Sequence, residues 1–221
     1  MNTLIVGMGE IGKSLEGVLG DHYVVMTKDK KDVFDGNIVD EVGVMHICFG
    51  YSPNFLKEVR RLQKWIKPKF TVVHSTVPVG TCRKVNAIHS PVIGQHPFLE
   101  VGIKTFEKML GGESASLVAD YFRRAGLKVV LFDKPETTEA AKLYLTEYYR
   151  ACIEFAKRVK AYCKENDLNF SEVYRIPNNI YNQGYKKLGF EEFMRPVLQP
   201  IMTEIGGHCV MPNSKLIKMS E

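Results

Sequence analysis

The sequence lacks any apolar run of the roughly 18 to 20 residues that a membrane-spanning helix needs. Residues 1–7 lack the basic lead of a secretory signal. Cysteines are few, odd in number and scattered without C-x-x-C spacing: Cys48, Cys82, Cys152, Cys163 and Cys209. This pattern argues against a disulfide scaffold or a zinc site. We therefore expect a cytoplasmic protein with reduced thiols, no membrane contact and no metal.

The net charge of +5 comes from one segment. Residues 57–69 hold six basic side chains against one acid, and the apolar residues between them recur at helical spacing. Such a pattern is typical of a helix that covers a core with one face and exposes its charges to solvent. Because no nucleic-acid-binding motif accompanies it, we expect no nucleic-acid partner.

Short apolar runs alternate with helical patterns through the first 132 residues. The runs predict strands at 4–6, 23–27, 44–49, 70–74, 91–94 and 129–132. The helical patterns fall at 13–19, 53–66, 103–110 and 114–125. Alternation of this kind is typical of a parallel sheet with helices on both faces.

Beyond Pro135 the pattern becomes helical. Residues 137–165 contain neither Gly nor Pro and predict one long helix, with shorter helices near 171–175 and 190–195. The first half of the long helix is apolar almost all round, which is more than one small domain can cover. We therefore predict a mostly helical domain at 135–221, after a sheet domain at 1–134, and a homodimer built on the long helix.

A glycine-rich turn follows the first predicted strand and opens the first predicted helix. Its glycines, Gly7, Gly9 and Gly12, have the G-x-G-x-x-G spacing of a dinucleotide site. In that arrangement the first glycine permits a tight turn, the second lets a pyrophosphate approach the backbone, and the third allows close helix packing. Glu10 and Ile11 place their N–H groups at the helix N-terminus, which favours phosphate. The α/β region is thus predicted to be a Rossmann-type domain.

The end of the second predicted strand should select the dinucleotide. An acid there binds the ribose 2′-hydroxyl of NAD, whereas a base accommodates the 2′-phosphate of NADP. The sequence offers both, Lys28 followed by Asp29. We expect NAD, with NADP as the alternative.

Three further segments resemble the nucleotide-sugar dehydrogenases, the group that acts on UDP-glucose, GDP-mannose and UDP-N-acetylmannosamine derivatives. They are STVPVGT at 75–81, EAAK at 139–142 and GGHC at 206–209. With the glycine turn they occur in the family's order and cover nearly the whole chain. The resemblance implies that the dinucleotide site also includes Phe49, Gly50, Ser75 and Thr76.

The resemblance also implies a chemistry, the oxidation of a sugar C6 alcohol to a carboxylate in two hydride transfers. Cys209 would add to the intermediate aldehyde and form a thioester that water hydrolyses. Lys142 would stabilise each oxyanion with its ammonium group. Cys209 precedes a predicted helix, and a helix N-terminus favours the thiolate.

The sequence departs from the family at several positions. Thr146 stands where the family has Asn, and Asn213 where it has Asp. Only Glu100 is available in 96–102, the counterpart of the family's glutamate-bearing segment, which is one residue shorter here. The sequence also ends before the family's C-terminal nucleotide-sugar-binding domain, which predicts a short form. The candidate catalytic residues are Cys209, Lys142, Thr76, Glu100, Thr146 and Asn213.

Three functions are compatible with these residues. The first is an NAD(P)-dependent oxidoreductase that oxidises a small-molecule alcohol, a nucleotide sugar among the candidates, through a cysteine-linked intermediate. The second is a catalytically impaired dinucleotide-binding sensor or partner subunit. The third is a 3-hydroxyacid or 6-phosphogluconate-type dehydrogenase, which shares the architecture and a helix lysine but assigns no role to Cys209.

Overall fold

The structure, a computed structural model, describes residues 2–29, 41–94, 97–199, 213, 215–217 and 219. These residues divide into two compact units. The first, here the sheet unit, comprises the described residues up to Leu143 together with 216, 217 and 219. The second, the helical unit, comprises those from Tyr144 to Lys215.

The strands of the sheet unit are β1 (Asn2–Val6), β2 (Val25–Lys28), β3 (Val42–Ile47), β4 (Phe70–Val73), β5 (Ile88–His89), β6 (Lys108–Gly111) and β7 (Val129–Phe132). The helices beside them are α1 (Glu10–Leu19), α2 (Phe55–Ile66), α3 (Leu99–Thr105) and α4 (Ala115–Arg124), with a 3₁₀ turn at Arg83–Val85. The long helix α5 (Pro135–Glu165) begins in the sheet unit and continues into the helical unit. There a π-helical turn (Ser171–Arg175) leads into α6 (Ile176–Leu188), followed by a 3₁₀ turn at Glu191–Phe193.

The sheet has the strand order β2-β1-β3-β4-β5-β6-β7. Every neighbouring pair is parallel except β5 and β6, which pair antiparallel through His89 and Gly111. The predicted fold class, a Rossmann-type sheet followed by a long helix, is confirmed, with one antiparallel pair as the difference.

Helices cover both faces of the sheet, as predicted. Along β1 the side chains alternate, with Ile5 in the core formed with α1, α3 and α4, and Leu4 and Val6 in the core formed with α2. This alternation follows from the two-residue repeat of a strand whose faces are both buried.

Two predicted elements between α2 and α4 were wrong. The predicted strand at 91–94 lies instead at Ile88–His89, because Pro91 has no N–H to donate to a ladder. The predicted helix at 103–110 ends at Thr105, and Lys108–Gly111 forms β6. A lysine at the start of an apolar run conceals this strand, since lysine is rarely buried.

The helical unit consists of the rest of α5, the π-helical turn and α6. Its described side chains are mostly exposed, and α6 buries none of its own. In the described ranges no helix combines the length and apolarity required to cross a membrane.

Candidate functional site

The predicted dinucleotide residues meet at one edge of the sheet. The strand order reverses at β1, which lies between β2 and β3. In open α/β sheets, ligands bind at such a reversal, beyond the carboxyl ends of the strands. The residues predicted for the dinucleotide lie at or just beyond the carboxyl ends of β1, β2, β3 and β4: Gly7, Gly9, Glu10, Ile11 and Gly12; Lys28 and Asp29; Phe49 and Gly50; Ser75 and Thr76.

The three glycines of the turn are glycines for different reasons. Gly7 has a φ of 97°, and a Cβ there would lie 2.7 Å from the backbone nitrogen of Phe49. A Cβ on Gly12 would lie 2.1 Å from the carbonyl oxygen of Gly7. At both positions a side chain would therefore collide with the protein's own backbone.

Gly9 has no such internal reason. A Cβ there would meet no atom within 4 Å, and its φ of −71° and ψ of −164° are open to any residue. Gly9 is the N-cap of α1. The bare backbone at Gly9 therefore leaves open space beside the first turn of a ten-residue helix.

The neighbouring strand ends are fixed to one another. The N–H of Gly7 donates to the carbonyl of Lys28 at 2.8 Å, which joins the glycine turn to β2. The buried Ser75 hydroxyl donates to the carbonyl of Phe49 at 2.6 Å, which joins the loops after β3 and β4. Thr76, half-buried, follows directly. The rim of the candidate site is thus held by hydrogen bonds between loops.

Lys142 is half-buried on α5, where its Nζ donates to the carbonyl of Val92 at 2.8 Å. Val92 belongs to the segment that follows β5. The hydrogen bond to this carbonyl fixes the position of the Lys142 ammonium group beside the segment after β5.

Thr146 and Asn213, the two residues at positions of departure, are brought together. Both belong to the helical unit, and the Asn213 Nδ2 donates to the Thr146 Oγ1 at 3.3 Å. A hydroxyl and an amide can orient a ligand, but neither transfers a proton readily at neutral pH.

Glu100 lies apart from the glycine turn. It belongs to α3, accepts a hydrogen bond from Lys104 at 2.8 Å, and lies so close to α1 that a Cβ on Gly17 would be 2.8 Å from its Oε2. Gly17 is eight residues after Gly9, about 12 Å along the helix axis. Cys209 and the rest of 206–209, as well as His96, lie outside the described residues.

Sequence reasoning missed a buried chain of hydrogen bonds that links strands of the sheet to α4. His74 Nδ1 donates to the carbonyl of Ser90 at 2.7 Å, so its Nε2 accepts from His46 Nδ1 at 2.8 Å. His46 Nε2 in turn accepts from the Tyr121 hydroxyl at 3.1 Å, which lies 2.8 Å from Thr3 Oγ1. Because a neutral imidazole has one donor and one acceptor, the carbonyl fixes the direction of the whole chain.

The histidines of this region are neutral. Burial lowers the pKa of His46 and of His89 to about 3, and lowers that of His74 well below its ordinary value. His89 is also buried, with Nδ1 2.9 Å from Thr138 Oγ1 and Nε2 3.2 Å from the carbonyl of Ser75. For His46 and His74 the available signal was a histidine inside a predicted strand, at 44–49 and 70–74, whereas His89 lay outside the predicted strand at 91–94.

Lys108 lies beside this chain, fully enclosed. Its Nζ donates to the carbonyls of Ser90 and Pro91 at 3.2 and 3.4 Å and lies 3.3 Å from His74 Nδ1. Burial lowers the pKa of Lys108 to about 7. Within the described part of the chain, no group of three or more His, Cys, Asp or Glu side chains is arranged to hold a metal ion.

Comparison with known proteins identifies the class of fold and no individual relative in sequence. No protein-family model and no curated protein sequence matches the chain. Solved structures do match: the UDP-D-ManNAc dehydrogenase of Pyrococcus horikoshii has a TM-score of 0.78 at 14% identity, over 99% of this chain and 64% of that one. The chain therefore spans slightly under two thirds of that enzyme's length.

Two other structures are similar. The UDP-N-acetyl-mannosamine dehydrogenase Cap5O of Staphylococcus aureus has a TM-score of 0.71 at 16% identity, over 100% of this chain and 66% of that one. The 3-hydroxyisobutyrate dehydrogenase of Mycobacterium tuberculosis has a TM-score of 0.62 at 16% identity, over 82% and 70%. The chain thus has the fold of the nucleotide-sugar dehydrogenases, and the resemblance seen in the sequence is confirmed at the level of fold.

Proposed function

We propose that this chain is an oxidoreductase that uses a nicotinamide dinucleotide to oxidise a small-molecule alcohol, related in activity to the nucleotide-sugar dehydrogenases. The observation that carries the proposal is Gly9. It is the one glycine of the turn that the protein's own packing does not require, and it lies where a pyrophosphate approaches in dinucleotide folds.

The residues at the strand ends fit such a cofactor. The N-terminus of α1 would receive the pyrophosphate, and Lys28 and Asp29 would contact the adenosine ribose. The loops carrying Phe49, Gly50, Ser75 and Thr76 would line the rest of the dinucleotide. When bound, it supplies the hydride acceptor. We expect NAD to bind more tightly than NADP, since the Asp29 carboxylate can accept a hydrogen bond from the ribose 2′-hydroxyl.

Lys142 is the residue that we propose acts on the substrate. Its ammonium, held against the Val92 carbonyl, would stabilise the oxyanion that forms as the alcohol loses its proton. Thr146 and Asn213 would orient the substrate through their hydroxyl and amide groups. They would not carry protons, in contrast to an aspartate at the second position.

We further propose that Cys209 forms the covalent bond to the aldehyde, as the GGHC segment suggests. A thiol that adds to an aldehyde gives a hemithioacetal, which can be oxidised to a thioester and then hydrolysed. Glu100 would assist hydrolysis only if a substrate-bound form brings it toward the site. A cytoplasmic location agrees with this use of a free thiol.

A 3-hydroxyacid dehydrogenase is the second candidate, favoured by the similarity to the mycobacterial 3-hydroxyisobutyrate enzyme. The two candidates differ in the need for Cys209. Reduced dinucleotide should be measured with UDP-glucose, UDP-N-acetylmannosamine and 3-hydroxyisobutyrate, using wild type, Cys209→Ser and Lys142→Met. Loss of nucleotide-sugar oxidation in both variants supports the first candidate. Oxidation of the hydroxy acid that needs only Lys142 supports the second, and dinucleotide binding without any turnover supports a sensor.

We also propose a homodimer through α5. Exposed aromatic side chains recur along one face of the helix at intervals of four, seven and seven residues: Tyr144, Tyr148, Phe155 and Tyr162. This spacing gives a stripe that a second copy of the helix could cover in a two-fold contact.

A further inference from the structure

Glu139, on the second turn of α5, is fully buried and binds the loop that follows β4. Its Oε2 accepts the N–H of Gly80 at 2.6 Å, and its Oε1 accepts the N–H of Cys82 at 2.7 Å. The ion pairs between described residues do not include Glu139. Two backbone amides therefore satisfy a carboxylate that has been removed from water.

The loop is shaped to receive this carboxylate. The N–H of Thr81 donates to the carbonyl of Pro78 at 3.2 Å, which closes a turn, and Gly80 within that turn has a φ of 85°. A positive φ in a turn makes nearby N–H groups converge, which is the geometry of backbone anion sites. Burial and then the Glu139 charge raise the pKa of Cys82, so its side chain stays a thiol and adds no negative charge.

The same loop begins with two residues of the candidate site. Ser75 and Thr76 precede the turn, and Ser75 holds this end of the loop through its bond to the Phe49 carbonyl. Glu139 therefore fixes the far end of a segment whose near end lines the proposed dinucleotide site.

Lys142 is three residues after Glu139 on the same helix. One side chain binds the loop after β4 and the other binds the segment after β5. The first turns of α5 thus hold two neighbouring loops at the carboxyl edge of the sheet, so the position of Thr76 relative to Lys142 depends on this helix.

We propose that Glu139, as a carboxylate, is a positioning residue that sets the Thr76 loop against the helix carrying Lys142. Because its side chain is fully buried and binds backbone amides, it would touch neither dinucleotide nor substrate, and its part in binding rests on the proposed function. The two hydrogen bonds from the Gly80 and Cys82 amides to Glu139, here called the clamp, are a property of the chain alone.

Glu139→Gln and Glu139→Asp test the clamp. Glutamine keeps the size but turns one acceptor into a donor that opposes an amide N–H, whereas aspartate keeps the charge in a shorter side chain. We expect NAD affinity by calorimetry, well below each unfolding midpoint, to fall about tenfold in Glu139→Gln, the worth of one charge-assisted bond. Glu139→Asp should recover part of this loss. A packing role predicts the opposite order, because glutamine fills the site better.

Glu136→Gln is the matched control, because it also replaces a glutamate of α5 with glutamine. The Glu136 carboxylate binds the exposed Arg83, so NAD affinity should stay within about twofold, as expected for a surface ion pair. In NMR spectra the Gly80 and Cys82 amide protons should move upfield in Glu139→Gln but not in Glu136→Gln.

These readouts separate the clamp from the proposed function. If wild type binds neither NAD nor NADP, the function fails, and the amide shifts still decide the clamp. If the shifts change and NAD affinity does not, the positioning role is overturned. Should Glu139→Gln not fold, hydrogen exchange of wild type decides: Gly80 and Cys82 amides as protected as those of β4 support the clamp, and rapid exchange overturns it.

Discussion

The sheet unit and the helical unit satisfy their side chains in opposite ways. The sheet unit buries polar groups, including three neutral histidines and Lys108, inside a core closed by helices on both faces. Among its described residues the helical unit buries few apolar side chains, those of Ile153, Ala156, Cys163 and Tyr174, while most of its aromatic residues are exposed. The sheet unit is therefore expected to be sensitive to protonation, whereas the described part of the helical unit leaves apolar side chains exposed.

The largest expected difference between the two units is in their stability at acid pH. Below pH 6.5 the unfolded histidines bind protons that the buried ones do not, because the folded pKa of His46 and of His89 is about 3. Stability is therefore lost as the pH falls from 6.5 toward 3. Between pH 6.5 and 4 two such groups remove about 6 kcal/mol, comparable to the whole stability of a domain.

The single tryptophan, Trp65, lies on α2 of the sheet unit, so its fluorescence reports this transition. His89→Gln keeps a donor for the Ser75 carbonyl but does not titrate in this range. It should be less stable than wild type at pH 7 and lose less stability on acidification. A fluorescence signal unchanged down to pH 3.5 would contradict neutral, buried histidines.

The exposed stripe of α5 should carry the second largest effect. Replacing Tyr148 and Phe155 together by Glu places charges in the proposed two-fold contact, and we expect dimerisation to weaken by at least about a thousandfold, roughly 4 kcal/mol. Light scattering across a concentration series measures it. The control is Leu117→Glu, an apolar residue of α4 in the sheet unit that is 65% exposed, against 64% for Tyr148. A wild type that is monomeric at micromolar concentration would refute the dimer.

Lys108 offers a third, smaller difference. The unfolded lysine keeps its proton up to about pH 10.5, whereas the buried one loses it near pH 7. Wild-type stability on this account rises with pH between these values, and the lysine costs most near pH 7. Lys108→Met should be more stable by about 4 kcal/mol at pH 7, less the free energy of any lost hydrogen bonds.

The greater stability of Lys108→Met should shrink toward pH 10. The difference between its thermal unfolding midpoint and that of wild type measures this at each pH. His22, an exposed histidine of the same unit, provides a control when replaced by Gln. A Lys108→Met protein that is less stable than wild type at every pH would show that the bonds to Ser90 and Pro91 outweigh the cost of burial.

The features that local sequence determines were predictable. The glycine turn requires only a strand, three glycines and a helix, and α5 requires only a long stretch without Gly or Pro. The segment around β5 and β6 was not predictable in this way, because Pro91 and Lys108 each conceal a strand end. The histidine chain depends on residues far apart in sequence, from Thr3 to Tyr121, which only the fold brings together.

The residues of the candidate site likewise include some that local sequence indicates and others that only the fold brings together. Gly9 and Lys28 could be proposed from the glycine spacing and the end of the second predicted strand, and Ser75 from the resemblance to the dehydrogenase family. Glu139 could not be recognised as a clamp, since its partners are backbone amides that no side-chain pattern reveals. The meeting of Thr146 and Asn213 likewise depends on the folding of the helical unit.

Titration calorimetry of NAD and NADP with wild type and Gly9→Val tests the central claim most directly. Gly184→Val, at a glycine of the helical unit that is equally free of neighbours, is the control. Wild type and Gly184→Val should bind a dinucleotide, and Gly9→Val should bind it at least about a hundredfold more weakly, roughly 2.7 kcal/mol. The Gly9 variant should also unfold within about 1 kcal/mol of wild type, as for a change of N-cap residue. Equal affinity in wild type and Gly9→Val would contradict the assignment of the glycine turn to a dinucleotide.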